Sequence, residues 1–170
     1  ATHAVVHLVD YKYRAARETL EDENDQPLGN ENGWGEAGHT IGYWNKEFLR
    51  KIKADMADHG LDLVAVENFD PIDWYDVLLD GPKRDAQIET LKQRVRTLGE
   101  AGISTLGYNF SITGVTSRTG GPFARGKAHS VGMTSIDDRP LPPDRVWNMR
   151  IPGRENGPPP ESATEEQLWD

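Results

Sequence analysis

Three short apolar segments interrupt an otherwise polar chain and predict parallel strands over about 3–9, 61–67 and 103–109. The first is too continuous to be the alternating strand of a half-solvated sheet and predicts a buried one. Two helices with apolar stripes lie between them. Asn45 caps the first, which runs to His59 with Phe48, Leu49, Ile52 and Met56 on one face. The second spans residues 84–101 and carries Ile88, Leu91, Val95 and Leu98. Gly60 and Gly102 stand where a left-handed residue ends a helix. The segment Ala57-Asp58-His59-Gly60-Leu61-Asp62-Leu63-Val64-Ala65-Val66-Glu67 therefore aligns with Gly99-Glu100-Ala101-Gly102-Ile103-Ser104-Thr105-Leu106-Gly107-Tyr108-Asn109. The first strand is the same unit without its helix and glycine. In this alignment His7, Glu67 and Asn109 are equivalent strand-end positions.

The rest of the chain is polar. Residues 10–43 hold one helical segment near 13–20. Residues 110–162 form a long loop with a short strand at 146–150 and a linker-like Pro158-Pro159-Pro160. Ser162-Ala163-Thr164-Glu165 is a capping box for a helix starting within 162–170. Helix-to-strand joints are short and strand-to-helix connections long, so elaboration falls at the carboxyl ends of the strands, the functional side of a β/α barrel or open parallel sheet. The fold class read from this pattern is α/β: a partial (β/α)8 TIM barrel, with residues 1–170 as one partial barrel domain. Three strands do not close such a barrel, which needs eight strands and about 250 residues. The expectation is a part of a larger domain, completed by further barrel units of the same polypeptide or by another subunit, in a homo-oligomer.

Composition narrows the partners. The net charge of -9 argues against nucleic acid and anionic membranes. No apolar run approaches the ~20 residues of a membrane span, and the first nine residues lack the basic flank of a signal peptide. Without cysteine there is no disulfide or thiolate chemistry. A cytoplasmic location is expected.

Matched strand ends in a barrel converge on one pocket, so His7, Glu67 and Asn109 are candidate catalytic or hydroxyl-binding groups. The plainer reading is that they satisfy loop backbone groups. His3 shares a face with His7, but four strand residues span ~13 Å, too far to share an ion; His3 reads as structural. Gly33-Trp34-Gly35-Glu36-Ala37-Gly38 matches a dinucleotide fingerprint only formally, because no strand precedes it. It reads either as a mobile active-site loop to which Trp34 or His39 contributes, or as a solvated loop. Arg118, Arg125 and Lys127 lie in a glycine-rich stretch without acids, which suits carboxylate recognition or is simply an exposed basic loop. Asp70, Asp73, Asp76 and Asp80 read as a solvated loop with Trp74 packed beneath. Trp147 and Trp169 read as core or interface residues.

Val64-Ala65-Val66-Glu67-Asn68, the helix over 86–101, the run from Gly102 through Tyr108-Asn109-Phe110, and Val146-Trp147-Asn148-Met149 resemble the mannonate dehydratase family, whose barrel is xylose-isomerase-like. The resemblance implies loss of water from D-mannonate to give 2-keto-3-deoxygluconate, assisted by Mn2+ or Fe2+. It places the His/Cys/His/Asp metal ligands on later strands, beyond Asp170, so no metal ligand is expected in this chain. With a sugar acid as substrate, the substrate-binding candidates are Tyr108, His39 of the glycine-rich loop, and Arg118 and Arg125 of the basic loop. Where well-studied members carry Met-Pro and Asp-Trp, this chain has Ser111-Ile112-Thr113-Gly114-Val115, which bears on the substrate. The alternatives are a sugar isomerase or epimerase on the same barrel, and a non-catalytic half-barrel serving binding or assembly.

Overall fold

The computed structural model describes residues 1–11, 13, 34–111, 118–133 and 144–156. The chain divides into two compact units, residues 1–9 with 38–110, and residues 10–37 with 111–170.

In the first unit the element order is β1 (His3–His7), α1 (Lys46–Asp58), β2 (Asp62–Glu67), α2 (Tyr75–Leu78), α3 (Arg84–Glu100) and β3 (Thr105–Gly107). The strands form one parallel sheet in the order β1-β2-β3. The fold class is thus α/β, with consecutive β/α units. Asn45 caps α1 by accepting a hydrogen bond from the Phe48 amide at 2.8 Å. Both long helices end alike. Gly60 and Gly102 take φ +75° and +74°, and the Leu61 and Ile103 amides each donate back to a carbonyl five residues earlier, Met56 and Leu98, at 3.0 Å. This is the Schellman stop, and it turns the repeat in the sequence into a repeat of structure.

The core holds Leu49, Leu63, Val66, Trp74, Leu98 and Ile103. Aromatic rings extend it, with Trp44 against Phe69 at 5.5 Å and Phe110 against Trp74 at 5.3 Å.

Several expectations need correction. β1 is not buried: His3, Val5 and His7 are exposed along one face, because no layer of the described residues covers that side of the sheet. β3 covers three residues instead of 103–109, since Ile103 is spent closing the helix stop and pairing with β2 ends at Gly107. On α3 the buried residues are Gln87, Thr97 and Leu98, while Val95 is 51% exposed. The helix turns a partly polar face inward, where Gln87 serves the backbone of Ile72 and Asp76.

The second unit contains hairpins where a long loop was expected. β4 (Arg118–Gly121) pairs antiparallel with β5 (Ser130–Met133), and β6 (Arg145–Val146) with β7 (Met149–Arg150). The expected strand at 146–150 is a tight hairpin, because Trp147 and Asn148 take φ +51° and +61°, the type I′ geometry. Tyr11, Trp34 and Trp147 pack edge-to-face at 5.5–5.6 Å between ring centres, so Trp34, 4% exposed, is a packing residue and not part of a mobile site loop. Glu36 bridges to Arg150, and the two side chains form an ion pair. The expected helical segment from residue 14 onward, the Pro158-Pro159-Pro160 linker, the capping box and Trp169 lie outside the described residues.

Candidate active site at the strand ends

The parallel register sets His7 opposite Glu67 and Glu67 opposite Gly107. Paired residues of neighbouring strands point to the same face, and here the His7 Nε2 and Glu67 Oε2 atoms are 3.4 Å apart. Both side chains are about half exposed, at 41% and 47%, so the couple is open to a molecule arriving at the sheet end. Gly107 makes room for it: a Cβ there would come within 3.3 Å of Glu67 Cγ. An imidazole and a carboxylate at this separation can relay a proton or bind a hydroxyl between them.

The strand then turns sharply. Asn68 takes φ +66°, uncommon for a residue with a side chain, and its amide donates to the Gly107 carbonyl at 2.8 Å. The bend carries the chain into Asp70, whose carboxylate, 1% exposed, accepts from the Gly38 and Ile72 amides and from Thr40 Oγ1. Burial pushes the Asp70 carboxyl up, against the pull of the Ile72 and Gly38 hydrogen bonds. Asp73, also raised by burial, forms an ion pair with Arg94 at 3.1 Å. Asp76 accepts from the Lys83 amide. The acidic run is therefore not a solvated loop: Asp70, Asp73 and Asp76 are buried and only Asp80 faces solvent. Trp74 is fully buried among them.

The sequence candidates separate. His7 and Glu67 come together. Asn109 is exposed, two residues past the Gly107 pair, so it is not the register equivalent of Glu67. His39 is exposed between two partners of Asp70. Tyr108 belongs to the other side of β3, where with Phe69, Leu91, Val95, Leu106 and Phe110 it lines an apolar groove of about 510 Å³ against α3. Arg118 and Arg125 belong to the second unit, Arg118 in β4 opposite Met133 and Arg125 in the turn between β4 and β5. Among the described residues no group of three His, Cys, Asp or Glu side chains is arranged to hold a metal ion. The sequence reading of Asp70 as part of a solvated loop was wrong; the Asp-Pro pair opening a turn after β2 was the local signal of its capping role.

Residues 34–126 match the family model described as D-mannonate dehydratase (UxuA). Similar curated proteins include "Mannonate dehydratase 2" of Halalkalibacterium halodurans, 42% identical over 69 residues, which is 41% of this chain and 19% of that protein. The "Mannonate dehydratase" of Lactococcus lactis subsp. cremoris is 36% identical over 67 residues, 39% of this chain and 18% of that protein. That of Brachyspira hyodysenteriae is 33% identical over a stretch of the same length. The matched stretch is thus under a fifth of these relatives. No solved structure matches.

Proposed function

Because the chain belongs to the D-mannonate dehydratase (UxuA) family, we propose that it supplies one wall of an active site that dehydrates D-mannonate to 2-keto-3-deoxygluconate. The observation that carries this reading is the His7–Glu67 couple at paired strand ends, 3.4 Å apart and open to solvent. Dehydration of a sugar acid needs a base for the proton α to the carboxylate and an acid for the departing β-hydroxyl. An imidazole backed by a carboxylate can take the first proton and return it to the second oxygen. In this reading His7 moves the proton, Glu67 orients the ring, and Asn109 and His39 bind substrate hydroxyls.

The described residues do not form a three-ligand metal site. The Mn2+ or Fe2+ that the family reaction is expected to use belongs, in this proposal, to other residues, and no step assigned here runs through it. The apolar groove against α3 supports further β/α structure packing there, since a sheet edge beside an exposed apolar stripe is what a neighbouring unit covers.

The test uses the full-length polypeptide with Mn2+ and D-mannonate. His7→Ala and Glu67→Gln should each lower kcat by about 100-fold or more. Wild-type protein that leaves D-mannonate untouched, or variants that turn it over at the wild-type rate, would remove this reading.

A further inference from the structure

Residues 38–44 are held at one end from the loop that follows β2 and at the other from α3. At one end Asp70 accepts from the Gly38 amide at 2.9 and 3.1 Å and from Thr40 Oγ1 at 3.3 Å. At the other, the Arg94 guanidinium, paired with Asp73, donates to the Ile41 carbonyl at 3.4 Å and lies over the Trp44 ring at 5.6 Å. Capping the short turn at 71–73 needs only the Asp70 bond to the Ile72 amide. The bonds to Gly38 and Thr40 reach back across 32 and 30 residues and do something else: they converge on one buried carboxylate from either side of His39. These bonds offset part of the cost of burying the carboxylate. Glu67 and Asp70 are three residues apart, at most about 10 Å of chain. The segment that carries His39 is thus tied to the loop that leaves the carboxyl end of β2, three residues past Glu67.

We infer that Asp70 is a positioning residue that holds His39 at the strand ends, where its imidazole meets an oxygen of the sugar acid. This inference rests on the dehydratase reading above. It is tested by a double-mutant cycle in the full-length polypeptide, with Mn2+ and D-mannonate, using Asp70→Asn, His39→Ala and the pair. Asp70→Asn should lower kcat/KM by about 10- to 100-fold, the cost of misplacing a contacting group by an ångström or so. In the His39→Ala background it should cost less than about 3-fold, because its target is already gone. An equal loss in both backgrounds would mean that Asp70 serves the fold alone and would overturn the proposal. If Asp70→Asn does not fold, Thr40→Val, which removes a single hydroxyl contact, should give the same non-additive pattern with a loss of about 3-fold. Amide hydrogen exchange gives an independent readout: Gly38 should exchange at least about tenfold faster in the variant than in wild type. Equal rates would overturn the latch whatever the activity. Wild-type inactivity, by contrast, would refute the dehydratase reading itself.

Discussion

Asp70 illustrates how one residue can be open to inspection in a sequence and still be misread. An aspartate among other acids looks solvated, yet what decides its state is a pair of donors 32 and 30 positions upstream, and no local pattern announces them. The same holds for Asp73, whose burial depends on Arg94 one element away. Removing either partner of that pair would strand a charge in the core. Burial raises the Asp70 carboxyl above its ordinary 3.8, so the folded chain holds this proton more tightly than the unfolded chain does. The stability that protonation contributes therefore grows as pH falls through the folded value towards 3.8 and is constant on either side of that window. Relative to Asp70→Asn, the wild type should gain in urea midpoint on acidification from about pH 7 to about pH 4. A gap that narrows instead would show a carboxyl lowered by its hydrogen bonds.

At the scale of elements, the sequence was informative wherever the signal was local. The Asn45 cap, both glycine stops and the strand cores could be read directly, because each depends on residues within a turn of one another. The opposite held for β3, whose length is set by its pairing with β2, and for the hairpin at Trp147-Asn148, whose positive φ values fall on residues without a glycine signature. The stops make a sharp prediction. Gly60→Ala should destabilise by about 1 kcal/mol, the cost of forcing an ordinary residue into the left-handed region, since no atom lies within 4 Å to clash. Gly99→Ala, on an exposed helical position with equally open surroundings, should stabilise by about 0.5–1 kcal/mol. Chemical denaturation of the two variants checks both signs; a shift in the same direction for both would contradict the assigned helix end.

For the molecule as a whole, the apolar stripe of α3 matters most. Its residues were evident from their spacing, but what they face was not, because a stripe specifies a partner only by being apolar. In the first unit Val95 and Tyr108 remain 51% and 67% exposed beside Leu91 and Leu106. The 170-residue polypeptide should therefore bind an environment-sensitive hydrophobic dye, and Val95→Glu should reduce that signal by about twofold while Lys51→Glu on α1 leaves it unchanged. A chain that binds no dye would mean the groove is covered. The two glycine stops have a last consequence, for divergence. Each helix-to-strand joint is closed by an amide reaching back five residues to a fixed carbonyl, so a single inserted or deleted residue breaks it. At the opposite ends of the strands the described contacts are made by side chains such as Asp70, reaching across the chain, and not by a backbone turn of fixed length. Loop length is therefore less constrained on that side, and it is there that relatives are expected to differ most.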